Sequence, residues 1–281
     1  WDPWSQLRAF PVLQSRDHRG ASSCYLQGLP GKMLLLLGLL SFALSPRAEA
    51  GEIIGGHEAK PHSRPYMAYL EYFDEKSYKP TRCGGFLIRK NVVLTAAHCH
   101  GSMMNVTLGA HNIKQKEESQ QVIPVRRAIP HPDYNTKNYS NDIMLLKLKS
   151  NAKMTKDVKP LTLPGPRNKL RPGQVCVVPG WGKVATWGRF SEKLQEVELK
   201  VQADEECESK LKNYYNPDTQ LCVGDPKIRK STFKGDSGGP LVCKHVAQGI
   251  VSYGKNDGSS PRAYTKISSF MPWIKSTLRK M

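Results

Sequence analysis

From Ile53 onward the chain is a succession of short apolar runs, rich in Val, Ile, Leu and Tyr, cut apart by clusters of Gly, Pro and Asn. Many such runs in series, with turn residues between them, predict an all-β sandwich or barrel. Val106, Leu108 and Ala110 alternate with polar positions, as on a strand with one face inward, and Val175, Val177 and Val178 border a second such segment. Helical periodicity is scarce. A weak pattern covers Asp204 to Tyr215, and a clear one lies at the C-terminus, where Phe270, Trp273, Ile274 and Leu278 share a helical face. Ser268 is placed to cap that helix, with Pro272 in its first turn, where a missing N–H costs little.

The chain ahead of Ile53 reads differently. Residues 1–32 show no period and contain three prolines and a lone Cys24, so they are read as upstream translation or an unstructured extension rather than folded chain. Met33 opens a leucine-rich run that ends in Ala48-Glu49-Ala50, a hydrophobic core followed by a small-x-small cleavage site. Residues 33–50 are therefore expected to be a signal peptide, and the run is too short for a transmembrane segment. Cleavage after Ala50 leaves the dipeptide 51–52 ahead of a domain spanning 53–281.

Composition narrows the picture. Hydrophobic residues make up 39% of 281, enough for a substantial core and against wholesale disorder. The formal net charge of +18 favours a polyanionic partner. The basic residues are scattered and no nucleic-acid motif accompanies them, so no nucleic acid is required. Of seven cysteines, Cys24 precedes the leader; the other six allow fifteen pairings and predict an oxidising compartment. No Cys-x-x-Cys or His-x-x-x-His spacing is present, so no metal site is expected.

The candidate chemistry centres on Lys234-Gly235-Asp236-Ser237-Gly238-Gly239-Pro240. A serine among glycines suits an exposed backbone corner, and the amides of Gly235 and Ser237 could both point at one oxygen, as an oxyanion hole requires. Upstream, Thr95-Ala96-Ala97-His98-Cys99 places a histidine among small residues, and Ser140-Asn141-Asp142 places a carboxylate at the entrance to an apolar run. Alone, His98 reads as a core histidine and Asp142 as a strand-end cap. With Ser237 they supply a base, a group that orients the base, and a nucleophile, in the order His, Asp, Ser. That order differs from the α/β-hydrolase and subtilisin arrangements.

These motifs, with Ile53-Ile54-Gly55-Gly56, resemble the chymotrypsin-like serine proteases over nearly everything from Ile53 to Met281. Pro61-His62-Ser63-Arg64-Pro65-Tyr66-Met67-Ala68 and Phe233-Lys234 resemble the granzyme and mast-cell chymase branch. The resemblance implies two six-stranded antiparallel β-barrels with a C-terminal helix, His98 and Asp142 coming from the first barrel and Ser237 from the second. It implies the pairings Cys83 with Cys99, Cys176 with Cys243 and Cys207 with Cys222. It also implies a monomeric endopeptidase without metal or organic cofactor, in which a dipeptidyl peptidase frees the Ile53 amine to pair with Asp236.

Specificity follows from the same resemblance. Where trypsin-like enzymes carry an aspartate six residues before the serine, this chain has Ser231, so basic side chains lose their partner. Ser252, Gly254 and Arg262 are expected to line the opposite wall, and Arg262 aligns with the arginine that gives aspartate-cutting granzymes their preference. Lys234 and Asn256 border the cleft. The expectation is a secreted or granule-stored endopeptidase cutting proteins after aspartate in cytotoxic killing, restrained by serpin-type inhibitors and stored on sulfated proteoglycan. Two other readings keep the fold: a chymase-like enzyme preferring aromatic side chains, and a catalytically silent cationic antimicrobial or polysaccharide-binding relative. Sequons at Asn105 and Asn138 predict glycosylation on the secretory route.

Overall fold

The computed structural model describes residues 53–185 and 188–281. The expected upstream stretch, signal peptide and activation dipeptide lie outside the described residues. Strands β2 (Met67–Asp74), β3 (Lys79–Arg89), β4 (Val92–Thr95), β5 (Ser102–Leu108), β6 (Gln121–Pro130) and β7 (Met144–Leu148) close into a barrel in the order β2-β3-β4-β7-β6-β5. Every pair is antiparallel. The apolar run after Asp142 becomes β7, with Met144, Leu145, Leu146 and Leu148 all buried. A strand with no polar alternation needs cover on both faces. One apolar cluster provides it, extending from β7 to Ile267, Phe270 and Ile274 near the C-terminus.

The second half contributes β8 (Val175–Gly180), β9 (Gln195–Lys200), β10 (Gln220–Val223), β11 (Pro240–Cys243), β12 (Val246–Tyr253) and β13 (Arg262–Lys266). They run β9-β8-β11-β12-β13-β10, with the two-residue β1 (His57–Glu58) added to β9. Past the end of β9, Val201 bridges to Val223, and Gln202 N–H and Gly224 N–H donate to the carbonyls of Cys222 and Lys200, each at 2.8 Å. This sheet therefore also closes on itself, through a single bridge rather than a full ladder, so the six-strand expectation holds for both halves. Ile53, Val178, Val197, Leu241 and Tyr264 fill its interior.

Two α-helices complete the described chain. The first, α1 (Asp204–Leu211), carries three acidic residues in its first turn, where they suit the positive end of the helix dipole. The second, α2 (Met271–Arg279), has Pro272 in its first turn as expected. Ser268 does not cap it: Ile267–Phe270 forms a 3-10 turn first, and Phe270 stands at the cap position without a side-chain bond. The apolar residues at the turn decide the entry instead, because Ile267 and Phe270 must stay in the core. His131, on the first-barrel side, meets the rings of Phe270 and Trp273 at 5.4 and 5.0 Å. The C-terminal segment thus straps the second half to the first. The three disulfides pair as the resemblance implies, Cys83–Cys99, Cys176–Cys243 and Cys207–Cys222. No helix among the described residues is long and apolar enough to cross a membrane.

Candidate active site

His98 occupies a single 3-10 turn, Ala97–Cys99, that follows β4, and the Cys83–Cys99 bridge ties this turn to β3. Its backbone N–H donates to Asp142 Oδ1 at 2.9 Å, and its ring Nδ1 lies 2.7 Å from Asp142 Oδ2. With a carboxylate there, the proton sits on Nδ1 and leaves Nε2 free to accept one. Asp142 itself is fully enclosed, and the second half of the chain completes its cage. Ser252 Oγ on β12 donates to Asp142 Oδ2 at 2.5 Å, and Thr265 Oγ1 on β13 donates to the Asp142 carbonyl at 2.7 Å. Burial acts to lower the His98 pKa, but the charge and hydrogen bond of Asp142 outweigh it and hold it raised. Burial likewise acts to raise Asp142, and is outweighed by His98 and by the bonds from Ser252 and the His98 amide, so that carboxyl is held below its ordinary range.

Ser237 lies in the loop before β11, pressed onto the first barrel. Its carbonyl accepts Gly84 N–H at 2.7 Å. The Cys99 sulfur, which has no proton to give in its disulfide, lies 3.8 Å from the same oxygen. This closeness depends on glycine: at Gly238 (φ +81°) a β-carbon would stand 2.1 Å from Thr95 Oγ1 and 2.5 Å from the Gly84 carbonyl. Gly235 (φ +99°) is constrained too, since a β-carbon there would stand 2.8 Å from the Phe190 ring and 2.9 Å from the Gly182 α-carbon. Among the described residues the Ser237 hydroxyl makes no hydrogen bond to His98. Such contacts commonly tighten only when substrate is bound. Tyr139 stands edge-on to His98 at 5.9 Å and stacks on Tyr253 at 5.3 Å, forming one wall of the approach.

Asp236, next to the serine, points the other way. It is fully buried and its two oxygens accept only backbone donors, Gly182 N–H at 2.9 Å and Phe233 N–H at 2.8 Å. No ion pair reaches it among the described residues. Burial pushes its pKa up to about 7, against the pull of those two amides and of the more distant Arg262. Ile53 is also fully buried, in the core of the second barrel.

Of the expected specificity residues, Arg262 meets the Phe233 ring. Arg262 opens β13 with its guanidinium 5.9 Å from the Phe233 ring and one nitrogen donating to the Lys255 carbonyl at 3.0 Å. Among the described residues its Nε–H is buried without a partner. Desolvation lowers its pKa, opposed by Tyr264, Asp236 and Asp257. Gly254 makes room for it, since a β-carbon there would stand 2.7 Å from the guanidinium carbon. Ser231 is buried with its hydroxyl donating to the Thr232 carbonyl, whereas Lys234 and Asn256 are exposed. Of the sequons, Asn105 is exposed on β5; Asn138 is half-buried and accepts the Ser140 N–H at 3.1 Å. Cys83, His98 and Cys99 lie close enough together to suggest a metal trio, but both sulfurs are consumed in the disulfide.

A trypsin family model matches residues 53–274. Granzyme B of Rattus norvegicus is 65% identical over 248 residues, covering 88% of this chain and all of that protein. Granzyme B of Homo sapiens is 64% identical over 245 residues, covering 87% of this chain and 98% of its own length. This chain belongs to the granzyme family of trypsin-like serine proteases. A solved structure titled "Structure of GrC" superposes with a TM-score of 0.78 at 58% identity, covering 81% of the protease described here and all of that chain. The granzyme is therefore a serine endopeptidase with the chymotrypsin-like fold, acting on protein substrates.

Several contacts in this protease have no counterpart in the sequence reading. Ser252 was expected in the pocket wall, but its hydroxyl is committed to Asp142, 110 positions away. Thr265 and Gly84 carry no motif that would single them out. Tyr139 sits inside a sequon, a signal for glycosylation rather than for a contact with His98.

Proposed function

We propose that this granzyme cleaves proteins after aspartate, with Ser237 as nucleophile, His98 as general base and Asp142 holding the imidazole. The Ser237 hydroxyl attacks the peptide carbonyl while His98 Nε2 takes its proton, and the amides of Gly235 and Ser237 hold the oxyanion. His98 then protonates the leaving amine. General-base transfer contributes on the order of 10² to 10⁴ in rate and one oxyanion donor on the order of 10² to 10³.

The observation that carries the specificity is the buried, unpartnered Nε–H of Arg262. A desolvated guanidinium with unmet donors is costly until a carboxylate arrives, and charged hydrogen bonds of that kind contribute about 1.5 to 3 kcal/mol each. Glutamate brings an extra methylene into the same depth. Aromatic side chains would leave the cation as it is.

Activation belongs to the same reading. Removal of residues 51–52 by a dipeptidyl peptidase frees the Ile53 amine, a cation for Asp236. Residues 53–281 carry 37 Lys and Arg against 20 Asp and Glu, a net +17. That charge suits storage on sulfated proteoglycan in a cytotoxic granule, with release into target-cell killing and control by serpin-type inhibitors.

The test is a set of peptides differing only in the residue before the cut, assayed with wild type and Arg262→Gly. Wild type should favour aspartate, and the variant should lose that cleavage by roughly 10² to 10⁴, the equivalent of two charged hydrogen bonds. A wild type that prefers phenylalanine or lysine would end the aspartate reading while leaving the protease intact.

A further inference from the structure

On the second half of the molecule, where the segment 163–172 runs past the start of α2, lies a cavity of about 880 Å³. That is the size of a site for a ligand of several residues. None of Ser237, His98, Asp142 or Arg262 lines it. Its floor is apolar, with Leu163, Leu170, Val201, Leu221 and Met271, all belonging to or packed on the two main core clusters. Prolines 164, 166, 172 and 272 stand in its walls and offer no N–H.

The charge around this floor is one-sided. Lys169, Arg171, Lys266 and Lys275 line it, and none forms an ion pair among the described residues. The Lys266 ammonium donates to the Pro217 carbonyl. The one acid in the lining, Asp204, is engaged by the Tyr215 hydroxyl. Four cations around an apolar floor recognise a ligand with negative charge outside and an apolar anchor inside.

We propose that this cavity is an exosite that holds an acidic peptide segment with an apolar anchor residue, away from the scissile bond. A sulfated glycan matches the charge and leaves the floor uncovered. A fatty acid matches the floor and leaves the hydrogen-bonding groups of Gln248 and Ser268, which also line the cavity, without the amides a peptide supplies. The site goes beyond the aspartate reading and stands or falls separately from it, since no specificity residue is shared.

The probe is a fluorescein-labelled Glu-Glu-Leu-Phe-Glu-Glu peptide, titrated by fluorescence polarisation into the protein carrying Ser237→Ala, so that nothing is cut. Saturable binding is expected. Arg171→Glu with Lys275→Glu should weaken it at least tenfold, whereas Lys90→Glu with Lys149→Glu, the same charge change on the first barrel, should leave it within twofold. All four side chains are exposed, so folding is not at stake; Arg171→Gln with Lys275→Gln provides a milder pair. A Glu-Glu-Ser-Ser-Glu-Glu probe should bind at least tenfold more weakly. Turnover of short peptides, measured with Ser237 intact, should be unchanged by the Arg171 and Lys275 variants. Equal binding of both probes, equal loss in the first-barrel control, or full displacement by a heparin fragment or dodecanoate at the probe's own concentration would each overturn the proposal.

Discussion

Two aspartates are completely buried near Ser237, and their surroundings differ in one respect. Asp142 has a partner that can take up positive charge: His98 lies 2.7 Å away, Ser252 donates from the other side, and the carboxyl is held below its ordinary pKa. Asp236 has two backbone amides and, among the described residues, no ion-pair partner, and burial carries its pKa from the usual 3.8 to about 7. Hydrogen bonds alone do not make a charged carboxylate comfortable in a protein interior; a counter-charge does. Asp142 is built for the charge it carries, and Asp236 for one that arrives later.

The largest effect expected from breaking this contrast is at Asp142. With Asp142→Asn the amide forces the wrong imidazole tautomer, and kcat should fall about 10⁴-fold, as in the same constellation elsewhere. A loss under tenfold in single-turnover assays would mean that the His98–Asp142 bond does not set the base.

Asp236 should behave in the opposite way, depending on the N-terminus. In protein that retains residues 51–52, the raised folded pKa means the folded state holds the proton more tightly than the unfolded one between about pH 4 and 7. Stability contributed by this group is therefore full at the acid end and declines as pH rises to about 7, by on the order of 4 kcal/mol across the window. Asp236→Asn removes that decline, so the variant should gain on wild type in urea melts as pH rises from 4 to 7. In the trimmed protein, with the Ile53 amine as partner, the sign should reverse: Asp236→Asn destabilises and inactivates. Equal behaviour of trimmed and untrimmed protein would dissolve the distinction between the two aspartates.

Ser252→Ala probes the smallest term. Losing one hydrogen bond to the Asp142 carboxylate costs about 1.5 kcal/mol, roughly tenfold in kcat/KM. The same loss makes Asp142 a stronger partner for the His98 proton. The His98 pKa, already raised, should then move further up, and the acid limb of the pH–rate profile with it. An unchanged limb and rate would make Ser252 a spectator of the site.

Much of this was legible along the chain. Short apolar runs between glycine and proline announced strands and left a sandwich or a barrel open, and the resemblance to the family implied a barrel for each half. His98 and Asp142 stood out only together with Ser237, because the three supply a base, an orienting acid and a nucleophile in one order. The Ser268 cap failed because a cap signal is worth about 1 kcal/mol, less than keeping Ile267 and Phe270 in the core.

What residue types and local order determine by themselves is the alternation that makes strands, the cysteines available for bridging and the order of base, orienting acid and nucleophile. Only the tertiary structure decided which groups meet across the two halves, Ser252 and Thr265 on Asp142 and Gly84 on the Ser237 carbonyl, and that four cations ring one apolar floor. The physical reason is range. Propensity and pattern act over a few positions, whereas the burial of Asp142 depends on strands more than a hundred residues away closing over it.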